Sequence, residues 1–134
     1  MQRHSRIAGH LDYGGVLLVP VGLNGTRLYF MVDTGASYCT INRMILDQIT
    51  AEPTDIKFSI APIGKEEIIT AVLKVETFVV GDKIQKNVLV SVVDFPPSVD
   101  NLDGILGMDF MGKYRITIEP DTQTLILRQI PKKK

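Results

Sequence analysis

The sequence contains one cysteine, no tryptophan and two histidines. A lone Cys39 excludes an internal disulfide framework and any multi-cysteine metal site, and it fits a reducing, cytoplasmic compartment. His4 and His10 fall outside any patterned segment and read as ordinary surface side chains. An excess of either charge is also missing, since 15 Lys+Arg balance 15 Asp+Glu. Zero net charge removes the long-range attraction expected of a nucleic-acid binder, so no nucleic-acid partner is expected. The one charge run, Lys132-Lys133-Lys134, reads as a solvated tail. No window approaches the ~20 apolar residues of a membrane span. The longest early run, Val16-Leu17-Leu18-Val19-Pro20-Val21, is short and broken by proline. The basic residues Arg3 and Arg6 are not followed by an apolar stretch, so no signal peptide is expected.

What is present is the composition of a folded domain: 134 residues, 45% hydrophobic and 22% charged. A chain of this size buries roughly two-thirds of its unfolded surface, which requires neither metal nor disulfide. A single domain over residues 1–134 is expected, with loose ends at 1–12 and 129–134.

Short β-type segments dominate. Val16–Leu23 and Thr26–Asp33 flank Asn24-Gly25, a two-residue hairpin signal because both residues tolerate positive φ. The segment Arg27–Val32 is apolar on both faces and predicts a strand buried on both sides. A helix is predicted after Asn42, which can cap it, with Ile41, Met44, Ile45 and Ile49 at helical spacing and Pro53 near its end. Lys57–Ala61 and Glu66–Val75 predict a hairpin across Pro62-Ile63-Gly64-Lys65. Glu76–Val80 and Val88–Val93 predict another across Gly81-Asp82-Lys83, and Tyr114–Ile118 and Thr124–Leu127 a last one. Asp94–Asp103, with Pro96-Pro97, reads as a loop, and Met108–Met111 as a helical turn. Many short strands with little helix argue for an all-β barrel or sandwich.

One site carries chemistry. Asp33-Thr34-Gly35-Ala36-Ser37 places a carboxylate directly after an apolar strand, where burying a charge is costly and needs a reason. As a tripeptide, Asp-Thr-Gly is also an ordinary surface turn. Its context is more specific. Leu28-Tyr29-Phe30-Met31-Val32 leads into it, and Asp103-Gly104-Ile105-Leu106-Gly107-Met108 repeats, far down the chain, a strand ending in a glycine-bearing turn. Together with the hairpin around Ile60–Glu67, this arrangement resembles the retropepsin-like (retroviral-type, single-domain) aspartic proteases, in element order from Val16 to Leu127.

The resemblance implies a closed barrel of short antiparallel strands and hairpins with one or two short helices, one lobe per chain. It implies an aspartic endopeptidase that needs no cofactor and no metal. Hydrolysis of this kind uses two carboxylates that share a proton. The chain has one Asp-Thr-Gly; Asp103 is followed by Gly104 but by no Thr-Gly. A homodimer with Asp33 and its mate on a two-fold axis is therefore expected. By the same resemblance Asp33, Thr34 and Gly35 are the catalytic loop, with Thr34 cross-linking the two copies and Gly35 presenting its N–H. Ala36, Ser37, Ile60, Ile63 and Gly64 would bind an extended peptide or protein substrate, the last three from a flap that closes over it. Ile105, Leu106 and Gly107 would support the loop from beneath. The chain departs from the viral pattern in having Gly107-Met108-Asp109-Phe110 where those enzymes carry Gly-Arg-Asn, so their arginine-based dimer contacts do not carry over. Leu125-Ile126-Leu127 is open to two uses, interleaving with a partner or pairing within the monomer. Cys39 reads as a buried small hydrophobe.

Two other readings compete. A catalytically silent dimerisation or binding module would keep the fold without the activity. A phosphoaspartyl enzyme would need a parallel sheet, crossover helices and further acidic residues for Mg²⁺, which the hairpin pattern opposes.

Overall fold

The computed structural model describes residues 6–61, 66–99 and 101–131. Strands β1 (Arg6–Ala8), β2 (His10–Asp12), β3 (Val16–Leu23), β4 (Thr26–Val32) and β5 (Thr40–Asn42) lead into a 3₁₀ helix at Arg43–Gln48. Then follow β6 (Glu52–Ile60), β7 (Ile68–Val80), β8 (Lys83–Val93), a 3₁₀ turn at Pro97–Val99 and β9 (Gly104–Leu106). Helix α1 (Met108–Met111), β10 (Tyr114–Glu119) and β11 (Thr124–Gln129) complete the described chain.

The turn chemistry acts where the sequence places it. Asn24 and Gly25 adopt φ of 47° and 88°, and β3 and β4 pair from Leu23↔Thr26 back to Leu18↔Met31. Asn42 caps the segment that follows it, its Oδ1 accepting the N–H of Met44 at 3.1 Å. The capped element is a 3₁₀ helix rather than an α-helix, and Met44, expected on its apolar face, is 71% exposed. Only Ile45 of that helix is buried, so one anchored residue suffices to hold a short connector.

A small sheet has the order β1-β11-β10, and a large one the order β2-β3-β4-β9-β5-β8-β7-β6. Strand β3 also pairs with β7 through Gly22↔Val79 and Leu23↔Phe78, so the large sheet curls back and partly closes into a ring. Closure is incomplete because β2 and β6 remain edges. Edge strand β6 carries Pro53 and a register break between Pro53 and Lys57, both suited to an edge. The all-β class thus holds, but the sheet is not purely antiparallel: β4 runs parallel to β9, and β5 to β8.

Four further expectations change. Strand β4 buries Leu28 and Phe30 while Arg27 and Tyr29 face solvent, so it alternates rather than being covered on both faces. Strand β7 runs unbroken through Val75 and Glu76, with Val75 buried and Glu76 exposed where the inward face changes phase. Residues 6–12, expected among the loose ends, form β1 and β2. Strand β11 lies between β1 and β10, pairing through Ile7↔Leu125 and Ile116↔Leu127. Of the two uses left open for Leu125-Ile126-Leu127, the structure shows pairing within the monomer.

The core fills the space enclosed by the curled sheet. At its centre the fully buried rings of Phe30 and Phe78 meet edge to face at 6.0 Å, and Phe78 meets Phe110 at 4.8 Å. One of these rings sits on the strand entering Asp33 and another on α1, so the core ties together the two segments that build the site.

Candidate active site

Strand β4 delivers Asp33 to the end of the sheet, and β9 fixes its position from the side. Met31 pairs with Ile105 and Val32 with Leu106, and the Asp33 N–H donates to the Leu106 carbonyl at 3.1 Å. The chain then turns, with the Ala36 N–H donating to the Asp33 carbonyl at 3.1 Å. The Gly35 N–H donates to Asp33 Oδ1 at 2.9 Å, so the carboxylate is oriented by its own loop. Asp33 is half-buried, while Thr34 and Gly35 are exposed at the tip.

Glycines permit the close packing beneath. A Cβ at Gly104 would lie 2.5 Å from the Phe30 ring and 2.6 Å from the Thr40 carbonyl oxygen. One at Gly107 would lie 2.7 Å from the Tyr38 carbonyl group. Strand β9 can enter between β4 and β5, and α1 can start against the loop, only because neither position has a side chain.

A cavity of about 790 Å³ opens beside Asp33. Gly35, Ala36, Ser37 and Tyr38 form its floor with Asp33, and Ile105 and Met31 its inner wall. Ser59, Ile60, Ala61, Glu66 and Ile68 overhang it from the β6–β7 hairpin. Phe95, Pro96, Val99 and Leu102, from the loop after β8, line another part of the wall. A smaller recess of about 370 Å³, lined by Leu11, Val16, Ile118 and Pro120, also reaches Asp33. The larger cavity could accept an extended chain, because it offers apolar walls and one oriented carboxylate. Its other carboxylates, Glu66 and Asp94, are exposed, and Asp94 accepts from Arg43 Nε at 2.9 Å.

Of the residues singled out from the sequence, Asp33, Gly35, Ala36, Ser37, Ile60 and Ile105 line this one cavity. Leu106 lies fully buried behind it, and Gly107 packs under Ala36 and Tyr38. Thr34 points away at the exposed tip. Ile63 and Gly64 lie outside the described residues. Sequence reasoning missed Tyr38, whose ring stacks on Phe58 of β6 at 4.3 Å and 24°. It also missed the Phe95–Leu102 wall, read only as a proline loop, and Asp109. An aromatic directly after Ser37 and another two residues before Ile60 were the available signal.

Cys39 is fully buried, and the Gly107 N–H points at its Sγ at 3.4 Å. Burial, and then the nearby Asp109 charge, push its thiol far above the usual range, so it stays protonated and is no nucleophile. An unfolded thiol ionises near about pH 8.5, so above that pH the unfolded chain sheds a proton that folded Cys39 keeps, and stability falls as pH rises. Urea midpoints are expected to drop on the alkaline side, and Cys39→Ala to remove that part of the drop.

Among the described residues no cluster of His, Cys, Asp and Glu could hold a metal ion. No described helix is long and apolar enough to cross a membrane.

The class of protein is thus an all-β lobe in which a strand ends at an oriented Asp-Thr-Gly aspartate beside a cleft. The chain belongs to the aspartyl protease family, whose model matches residues 19–110. Its fold is retropepsin-like. It superposes with a TM-score of 0.63 on a retropepsin-like aspartic protease from Rickettsia conorii, at 22% identity, over 92% of this chain and 88% of that one. The EIAV protease, solved with the inhibitor HBY-793, gives a TM-score of 0.55 at 21% identity, over 77% of this chain and 91% of that one. Comparison with curated protein sequences finds no match.

Proposed function

We propose that the chain is an aspartic endopeptidase that works as a homodimer and cleaves peptide bonds of an extended substrate. The observation that carries this reading is Asp33 itself: held by Gly35 N–H and by β9, and facing a large cleft in a chain of the aspartyl protease family. In the dimer one Asp33 carboxylate takes a proton from water while the other, protonated, donates to the scissile carbonyl oxygen. Two carboxylates so close cannot both ionise, so one proton is shared, and the pH–rate profile is bell-shaped. The exposed Thr34 would bond across the axis to its mate. Substrate would lie as an added strand along Ala36 and Ser37, beneath Ile60. Ile105, Leu106 and Gly107 would hold the loop rigid. With β11 paired on both sides within the chain, this reading takes the two-fold axis to run beside the exposed Thr34-Gly35 tip.

The test is cleavage of an unstructured protein such as casein between about pH 4 and 7, where carboxylate pairs titrate, followed across a dilution series. Specific activity is expected to fall on dilution in step with loss of the dimer in sedimentation. Constant specific activity from a sedimenting monomer would refute the paired-carboxylate reading. Absence of cleavage at every pH would favour the silent binding module.

A further inference from the structure

The catalytic loop is tied to α1 by a ladder of bonds, and one side chain stands out in it. The Met108 N–H donates to the Ala36 carbonyl at 2.8 Å, and the Asp109 N–H to the Ser37 carbonyl at 3.1 Å. The Asp109 side chain then reaches back: its Oδ1 accepts the N–H of Cys39 at 3.0 Å and that of Phe110 at 2.8 Å. Asp109 thus grips the loop on both sides of Tyr38, through its own N–H at residue 37 and its carboxylate at residue 39. Tyr38, so held, lines the substrate cleft and stacks on Phe58, two residues before Ile60 on β6. Phe110, the next residue, is fully buried in the core, which gives the grip a rigid anchor.

We propose that Asp109 is a positioning residue that sets the substrate-binding wall Ser37–Tyr38 and, through the Tyr38–Phe58 stack, the end of β6 that carries Ile60. The proposal rests on the protease reading for its kinetic consequences. The role needs an acceptor oxygen at that point, not a negative charge. Asp33 is held separately, by Leu106 and Gly35, so losing the grip should disturb substrate binding more than the chemical step.

Asp109→Ala and Asp109→Asn separate these requirements. The alanine variant is expected to lose about tenfold or more in kcat/KM, mostly as a raised KM. Asparagine keeps an acceptor oxygen, so it is expected to stay within about threefold of the parent with an unshifted pH profile. Exchange of the Cys39 amide hydrogen, read by NMR, is expected to quicken at least about tenfold in the alanine variant and not in the asparagine variant. Should Asp109→Ala fail to fold, Asp109→Glu takes its place: it keeps the charge, displaces the oxygen by one methylene, and is expected to raise KM and quicken that exchange. Asparagine as impaired as alanine, or alanine (or glutamate in its stead) with parental KM and a protected Cys39 amide, would overturn the proposal. If the parent protein cleaves nothing, the protease reading fails on its own, and the exchange rates still decide for or against the grip.

Discussion

Asp33→Asn is expected to abolish peptide-bond cleavage, with a fall of at least about a thousandfold, the scale of removing a general acid–base group. Asparagine can still accept the Gly35 N–H that now bonds Oδ1 at 2.9 Å, so the loop should keep its shape. What it lacks is a site that can gain and lose a proton. The same substitution tests the pairing. When equal amounts of parent and variant are mixed and subunits exchange at random, about a quarter of the dimers carry two carboxylates, so about a quarter of the activity should remain. A solitary enzyme would retain half. Unchanged cleavage by Asp33→Asn would remove this aspartate from the mechanism altogether; thermal unfolding of the variant, expected near the parental temperature, guards against loss by misfolding.

The parts of the molecule legible in the sequence are those set by local rules. Asn24-Gly25 demanded positive φ at two adjacent positions and received it. Asn42 capped the segment after it because a short carboxamide can reach the next N–H but one. Asp33 stood out because an acid directly follows the apolar run Leu28–Val32. What was illegible depends on distant partners. The parallel pairing of β4 with β9 joins segments far apart in the chain, and no turn signal announces it. The two faces of β4 could not be told apart because Tyr29, apolar in pattern, is 37% exposed and packs against His10 and Arg27 instead. No local signal in the sequence marks Asp109. Only the fold shows that the backbone of Cys39 arrives within 3.0 Å of it. The cleft illustrates the same division: its floor is one contiguous motif and was found, whereas its hairpin and proline-loop walls converge from separate elements.

Phe78→Ala is expected to be the most destabilising single truncation in the interior, costing about 3–5 kcal/mol of a total of about 5–15. Phe78 is fully buried and touches both neighbouring rings, Phe30 at 6.0 Å and Phe110 at 4.8 Å. It also sits at the β3–β7 contact, opposite Leu23, where the curled sheet closes on itself. Removing the ring therefore leaves a void that neither side can readily fill: β4 is fixed by β3 and β9, and α1 by the catalytic loop. For a domain of this size the loss corresponds to a fall in Tm of about 10–20 °C at fixed protein concentration. Met44→Ala, which removes a comparably long side chain that is 71% exposed, should change stability by no more than about 0.5 kcal/mol. Phe78→Leu should recover more than half of the alanine loss, because it restores most of the volume and only the aromatic pairing is missing. A Phe78→Ala loss below about 1 kcal/mol would mean that β7 relaxes into the void, and that the ring closure at Leu23↔Phe78 is far softer than its packing implies. In that case Asp33 and α1, which lie on the two sides of Phe78, would not share one rigid support.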